Sequence, residues 1–385
     1  MPLNQHKLKK RRFKTIKILK KFLDKSFSKL APNCTVKNAE IAKVIHTAAE
    51  TQDFLEETSK KQGNKPNADI IFKRIKGCDI EKLAQAFMFV LDFMFKNIKQ
   101  KFNLRGYTIA IDTHYEGFYG KYTDLWVHGY IPRGLKDATG SYCYITIAAV
   151  IGKVKFTFMA LPVYSGQDTA ELIEQIITVA KKYVKVELAL LDRGFDSGKV
   201  TRVLKELKIK YIIFAKRNDK VKRFFDETES FKHRYFNDKI TWYEDKSKQE
   251  EPTKYLIFKD YVDMKSFKIY DWVFLTNLSN LKAVSYVYLY KRRWAIEDTY
   301  KQFKRFRIIT TSINYIARYF FFLFRILLYN LWKFYNLMAD KNMTLKEFTF
   351  TLFLASQDID HIKACKKEMA DFMKRLEKPF AKVNV

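Results

Sequence analysis

The sequence has few of the residues that build disulfide frameworks or structural zinc sites. Its cysteines (Cys34, Cys78, Cys143 and Cys365) are scattered without a CxxC pair, and its six histidines are equally dispersed. This spacing is typical of reduced thiols in a cytosolic protein, and it argues against a disulfide scaffold or a zinc site. The N-terminus lacks a continuous apolar run and a small-residue cleavage site, so we expect no signal peptide.

The sequence also lacks a clean membrane-spanning run. Residues 319–338 are long enough to cross a bilayer, but Arg325, Asn330 and Lys333 interrupt them. A central arginine is costly in hydrocarbon. We therefore expect a buried, aromatic-rich helix in a soluble, cytoplasmic protein. A peripheral membrane protein is the alternative.

Acidic residues are scarce relative to basic ones. The chain has 72 Lys+Arg against 42 Asp+Glu, a net charge of +30, which favours a polyanionic partner such as nucleic acid. Residues 1–30 carry eleven of these cations, with apolar residues at a helical period. This basic amphipathic helix fits DNA binding, a membrane surface, or docking on the body of the protein, and we favour DNA.

The pattern of the middle region predicts a mixed α/β fold. Residues 107–111, 142–151 and 155–163 have the composition of strands, followed by helix 168–182, strand 186–191, helix 197–207 and strand 211–215. Consecutive strands indicate a meander, and strands separated by helices indicate parallel crossovers. We expect a mixed sheet with flanking helices, an order that resembles the ribonuclease H-like fold.

The domain prediction has four parts. Residues 1–103 form a helical, basic region with a polar linker at 59–69, and residues 341–385 form a helical tail. Residues 104–216 and 272–340 form the catalytic domain. Asp192 and Glu297 are 105 residues apart, whereas one helix, one strand and short loops need only about 40–50. The surplus, 217–271, is predicted to be a β-rich insertion.

One helical segment carries an unusual set of polar residues. In YKRRWAIEDTYKQFK, the side chains of Tyr290, Arg293, Glu297 and Lys304 have the spacing Y-x2-R-x3-E-x6-K. At about 100° per residue they fall within an arc of about 60°. A carboxylate beside two cations and a phenol suits a metal ion and a phosphate backbone. A solvated charged helix is the alternative.

Two aspartates directly follow predicted strands. Asp112 follows YTIAI and Asp192 follows VELALL, and acids at strand ends project where α/β sheets bind ligands. With Glu297 on a neighbouring helix, three carboxylates would suit two hard divalent cations. For nearby acids we expect other positions: Asp196 capping a helix, and Glu116 in a loop.

These residues resemble the DDE transposases of prokaryotic insertion sequences, the cut-and-paste group with the Y-R-E-K signature. The similarity covers about residues 107–336 and includes AIDTH around Asp112, LLDRGFDS around Asp192 and DWVFLTN around Trp272, besides the signature itself. The resemblance implies that Asp112, Asp192 and Glu297 hold two Mg²⁺ or Mn²⁺ ions for DNA cleavage and strand transfer. It also implies a ribonuclease H-like catalytic domain.

The resemblance assigns DNA contacts as well. Tyr290, Arg293 and Lys304 would contact the phosphate backbone, and Arg193 would hold a phosphate or support Asp192. Trp272 would stack on a flipped base, although a core tryptophan in a strand fits equally well. The implied partners are double-stranded DNA, as terminal inverted repeats and target DNA, and a second copy of the chain in the DNA complex. The implied location is the prokaryotic nucleoid.

Three other functions remain open at this stage. A domesticated transposase or host nuclease would keep the same acids, and terminal repeats flanking the reading frame would distinguish it. A basic nucleic-acid-binding protein without enzymatic activity explains the charge but not the placement of the acids. A peripheral membrane protein would use residues 1–30 and 319–338.

Overall fold

The computed structural model describes most of the chain. It covers residues 17–27, 35–63, 66–102, 106–121, 124–151, 154–182, 184–279, 281–339 and 343–349, without the side chains of residues 154, 294–298 and 339. The predicted helical tail, 341–385, and the first sixteen residues lie largely or wholly outside this part. The architecture is the predicted α/β fold, a mixed sheet with flanking helices.

In the described part of the chain, five helices precede the sheet. Helix α1 covers residues 17–26, and the next are α2 (Asn38–Thr51), α3 (Leu55–Lys61), α4 (Ala68–Lys76) and α5 (Ile80–Phe102). The apolar face of α1 is docked on the body, since Phe22 is fully buried with its ring centroid 5.6 Å from that of Phe320. The predicted polar linker is too long. Its two ends, 59–61 and 68–69, lie in α3 and α4, which form because Leu55, Ile71 and Ile75 are buried in the core.

The sheet has nine strands: β1 (Tyr107–Phe118), β2 (Val127–His128), β3 (Gly140–Ile151), β4 (Val154–Val163), β5 (Val186–Leu191), β6 (Lys210–Phe214), β7 (His233–Glu244), β8 (Ser247–Asp263) and β9 (Lys268–Thr276). The strand order is β2-β3-β1-β5-β6-β9-β8-β7, and β4 also pairs with β3. The β1–β5 and β5–β6 pairs are parallel and the others are antiparallel. Helices α6 (Thr169–Lys181) and α7 (Gly198–Glu206) make the crossovers.

The two faces of the sheet pack in two different apolar cores. Odd-numbered residues of β1, β5 and β6, such as Ile111 and Leu191, join the larger core, to which α6 and α7 contribute. Even-numbered residues, such as Ala110 and Leu190, pack with α9 (Ala283–Phe303) in the smaller core. Because side chains alternate along a strand, an acid two residues after Ala110 or Leu190 lies on the α9 face.

Strand β1 is longer than predicted. It continues through Asp112 to Phe118 because residues 112–118 pair with β3, from Thr146 back to Gly140. The expected loop position of Glu116 is therefore wrong. Glu116 lies in the strand and forms an ion pair with Arg325, which also contacts His114 at 3.3 Å. This pair explains the arginine inside the apolar helix α10 (Tyr315–Ala339).

Helix α10 is the segment that raised the membrane question. It lies against the sheet, where the Tyr144 and Phe322 rings stack with centroids 4.1 Å apart. The buried Asn330 side chain hydrogen-bonds both backbone groups of Thr157 in β4. Among the described residues, no helix has the length and apolarity needed to cross a bilayer.

The region expected to form the insertion contains helix α8 (Asp219–Asp226), β7, β8 and the start of β9. Strands β7 and β8 are long, with 12 and 17 residues. Strand β9 pairs with β6 and β8 pairs with β9, so these residues extend the same sheet beyond β6. The division into catalytic domain and insertion stays a prediction.

The Glu116–Arg325 pair gives a test of the fold. Burial by itself raises the pKa of Glu116, but Arg325 and His114 outweigh it and hold that pKa well below its ordinary value. Removing Arg325 leaves a buried carboxylate without its partner. We therefore expect Arg325→Met to lower the free energy of unfolding by about 3–5 kcal/mol at pH 7, measured by urea denaturation.

Adding Glu116→Gln to Arg325→Met should restore much of this loss, because no buried charge is then left alone. The control is Lys222→Met, whose ion pair with Asp219 is fully exposed and should contribute little. Since the Glu116 pKa is depressed, the contribution of the pair is complete above about pH 4.3 and declines as the pH falls further. Equal stability of Arg325→Met and Lys222→Met would contradict this account.

Candidate active site

The two predicted aspartates lie side by side on neighbouring strands. Strands β1 and β5 are parallel, with Ile111 opposite Leu191, so the next positions are Asp112, within β1, and Asp192, directly after β5. Each carboxylate accepts a hydrogen bond from the next backbone N–H, at 2.9 Å from Thr113 and 2.8 Å from Arg193. Both acids point to the α9 face, as the alternation of side chains requires.

Helix α9 crosses this face and brings Arg293 between the two carboxylates. The guanidinium of Arg293 lies 3.6 Å from Asp112 Oδ2 and 3.7 Å from Asp192 Oδ1. Its Nε donates a hydrogen bond to the Tyr290 hydroxyl at 3.1 Å, and that hydroxyl donates to Asp192 Oδ1 at 3.5 Å. Two residues of the signature thus contact the aspartates directly.

The charges of this cluster are strongly coupled. Arg293 is only 4% exposed. Burial by itself lowers the pKa of Arg293, but Tyr290 and the two aspartates outweigh it and the pKa is raised. Burial also raises the pKa of Tyr290, so the phenol stays protonated and can donate. One cation therefore offsets two adjacent carboxylates that would otherwise repel each other.

The rest of the signature lies further along the same helix. Position 297 is helical and falls one turn after Arg293, but the Glu297 side chain lies outside the described part. Lys304 is the residue that follows α9, and it is exposed. Around the axis of the helix, position 297 lies between Tyr290 and Arg293. Both of those side chains face the aspartates.

The two remaining predicted residues have different surroundings. Arg193 is exposed, and its guanidinium lies 4.6 Å from the centre of the Phe214 ring. Trp272 is 3% exposed, with its ring stacked on Phe274 and 6.0 Å from that of Tyr290. In this structure Trp272 is a core side chain beside the site. It would have to become exposed before it could stack on a base.

The expected capping role of Asp196 is wrong. The N-cap of α7 is Ser197, and Asp196 Oδ2 instead accepts a hydrogen bond from the backbone N–H of Lys216 at 2.6 Å. The side chain turns to this amide because the loop after β5 packs against the end of β6. Burial raises the pKa of Asp196. Its role is to join the ends of two strands that flank the site.

Sequence reasoning missed three polar residues beside Asp112. The Tyr300 hydroxyl lies 2.5 Å from Thr146 Oγ1, and the His114 ring lies 4.8 Å from the Tyr300 ring. Burial lowers the pKa of His114. Two signals were present in the sequence: Tyr300 is one helical turn after Glu297, and His114 is two strand positions after Asp112.

The donor set at the aspartate pair suits a hard divalent cation. Both residues offer carboxylate oxygens, and their side chains are 15% and 38% exposed, so solvent reaches them. Among the described side chains, no group of three or more His, Cys, Asp and Glu residues is arranged to hold a metal ion. The side chain of Glu297, the predicted third carboxylate, lies outside that set.

Comparison with known proteins gives one family. The family described as Transposase DDE domain matches residues 136–331, about half of the chain. The matched segment includes Asp192 and the signature helix α9 and begins after Asp112. No curated protein matches the chain significantly.

The position of Arg293 predicts how the site responds to loss of its cation. In Arg293→Met the two aspartates lie side by side without it but stay partly exposed, so we expect the free energy of unfolding to fall by about 1–3 kcal/mol at pH 7. Adding Asp112→Asn and Asp192→Asn should recover most of that loss. Denaturant unfolding measures both effects.

The matched control is Arg292→Met, at the adjacent and partly exposed arginine of α9. It should change stability by less than about 1 kcal/mol. A triple variant no more stable than Arg293→Met would mean that Arg293 stabilises the fold by packing and not by its charge.

Proposed function

The chain belongs to the Transposase DDE domain family, and from this premise we propose that it cuts DNA at the ends of an insertion sequence and joins the ends to target DNA. Family membership makes it an enzyme of the transposase and nuclease kind, with DNA as its substrate. The proposal adds the reaction, two-metal-ion hydrolysis and transesterification, and the residues that carry it. They are Asp112, Asp192 and Glu297.

One observation carries this proposal. Strands far apart in sequence place Asp112 and Asp192 on one face of the sheet, and both lie against Arg293 of the signature helix. A basic DNA-binding protein without catalytic activity has no need for adjacent carboxylates on a buried arginine, because such a pair is costly to hold together. The helical position of Glu297 supports it as the third acid.

The acids present fit two Mg²⁺ or Mn²⁺ ions, since hard cations prefer carboxylate oxygen. When bound, such ions activate water, and then a 3′-hydroxyl, for attack on a phosphodiester. Asp112 and Asp192 would hold the ions from two neighbouring strands, and Glu297 would hold them from α9. The backbone N–H groups of Thr113 and Arg193 fix Oδ1 of each aspartate, and Arg293 contacts Asp112 Oδ2 and Asp192 Oδ1.

The cations near the acids would bind the DNA backbone. Arg293 is a bidentate donor beside the reacting position, while Lys304 and Arg193 are exposed and can reach phosphates without rearrangement. Tyr290 orients Arg293 through the hydrogen bond to its hydroxyl. Trp272 stays a candidate for base stacking only if α9 moves away from it. The end-joining reaction also implies a homodimer on DNA, since two element ends must be held together.

The test separates binding from chemistry. Asp112→Asn, Asp192→Asn and Glu297→Gln each remove one negative charge at nearly constant shape. We expect each to lower Mg²⁺-dependent cleavage of duplex DNA carrying the flanking terminal repeats by at least about 10³-fold, because a metal ligand is lost. DNA affinity in a gel-shift assay should stay the same or rise slightly, because a repulsive charge is gone.

The matched control is Glu187→Gln, which removes an exposed carboxylate from β5, the strand that ends just before Asp192. It should cleave at the wild-type rate. Equal cleavage of DNA without terminal repeats would favour a host nuclease. Wild-type cleavage by the three acid variants would leave a basic DNA-binding protein as the better account.

A further inference from the structure

Helix α9 reaches both acid-bearing strands through tyrosine hydroxyls. Near the middle of the helix, the Tyr290 hydroxyl donates to Asp192 Oδ1 at 3.5 Å, beside the end of β5. Ten residues later, the Tyr300 hydroxyl lies 2.5 Å from Thr146 Oγ1, and Thr146 Oγ1 donates to the backbone carbonyl oxygen of Asp112 at 3.3 Å, on β1. The second contact involves no residue of the Y-R-E-K signature.

The direction of this hydrogen-bond chain is fixed by its surroundings. The Thr146 hydroxyl has one proton, which goes to the Asp112 carbonyl, so Tyr300 must donate to Thr146. Burial raises the pKa of Tyr300 well above its ordinary value, so the phenol keeps that proton. Thr146 is 1% exposed, and water is therefore a poor substitute for either partner.

The hydrogen bonds from Tyr300 through Thr146 reach Asp112 just past the point where β1 stops pairing with β5. Pairing of β1 with β5 ends at Ile111 and Leu191, and from Asp112 onward β1 is held by β3. Thr146 is the residue of β3 opposite Asp112. Tyr300 therefore joins α9 to the strand pair that sets the position of the Asp112 backbone.

We infer that Tyr300, acting through Thr146, is a positioning residue that fixes Asp112 relative to α9. The two tyrosine contacts lie about 15 Å apart along the helix, with Arg293 and position 297 between them. Helix α9 is thus joined to the residue after β5 near its middle and to β1 near its C-terminal end, and it cannot slide along the sheet without breaking one contact. This inference rests on the proposed function, in which Asp112 holds a metal ion.

The test removes single hydroxyls. Tyr300→Phe and Thr146→Val keep the shape of each side chain and lose one hydrogen bond, and Thr146→Ser keeps the hydroxyl. The matched control is Tyr319→Phe, which removes a fully buried tyrosine hydroxyl from α10 that donates to the carbonyl oxygen of Ala160 at 2.7 Å. Two quantities are measured: the cleavage rate at saturating DNA, and Mn²⁺ binding to DNA-free protein by calorimetry.

Loss of a residue that orients a metal ligand typically costs about 10–100-fold in metal affinity or activity. We expect Tyr300→Phe and Thr146→Val each to weaken Mn²⁺ binding and slow cleavage by about 10-fold or more. The double variant should be no worse than either single one, because both break the same chain. Thr146→Ser and Tyr319→Phe should keep wild-type values of both quantities.

If Mn²⁺ binding by Tyr300→Phe equals that of the wild type, the inference is overturned, whatever the cleavage rate. Asp112→Asn separates this failure from failure of the proposed function. If Asp112→Asn itself binds Mn²⁺ and cleaves normally, the proposed function fails. If Asp112→Asn is inactive while Tyr300→Phe behaves like Tyr319→Phe, only the positioning role fails.

Discussion

The site depends on the parallel pairing of β1 with β5. This pairing places Ile111 opposite Leu191, and it therefore sets two aspartates next to each other although β2, β3, β4 and α6 lie between them in sequence. A shift of one residue in either strand would turn one carboxylate to the opposite face. The apolar cores prevent that shift, because even-numbered residues pack under α9 and odd-numbered residues pack in the larger core.

Holding two carboxylates together costs free energy, and Arg293 offsets that cost. The arginine is nearly inaccessible to solvent, and it contacts both acids and the Tyr290 hydroxyl. A buried cation between two acids also explains why α9 packs with a polar stretch against the sheet. The same helix carries the position of the third acid and ends at the exposed Lys304, so one element joins the metal-binding and phosphate-binding parts of the proposed site.

Much of this arrangement was predictable from sequence. The strands 186–191 and 211–215 and the helices around them have strong local signals, and the ends of VELALL and the Y-R-E-K spacing identify Asp192, Tyr290 and Arg293. The extension of β1 to Phe118 was not predictable, because its polar residues form a strand only by pairing with β3. The buried position of Arg325 was not predictable for the same reason, because its partner, Glu116, is more than two hundred residues away in sequence.

Long-range contacts also explain the other errors. Asp196 has the local sequence of a helix cap, but the amide of Lys216 at the end of β6 takes its carboxylate. The Tyr300–Thr146 contact joins a helix to a strand, and the spacing of Tyr300 from Glu297 does not reveal its partner on β3. Local patterns thus predicted the elements and the charged residues of the site. The hydrogen bonds that orient those residues depend on the assembled sheet.

The central claim is that Asp112 and Asp192 bind divalent cations directly, and a change of ligand chemistry tests it most directly. Thiolates favour softer cations than Mg²⁺, so Asp192→Cys should lose cleavage of terminal-repeat DNA in Mg²⁺ and regain a measurable part of it in Mn²⁺. The quantity to measure is the ratio of the cleavage rates of Asp192→Cys and wild type in each cation. A ratio that is far higher in Mn²⁺ is the predicted result, and the same ratio in both cations would contradict direct ligation.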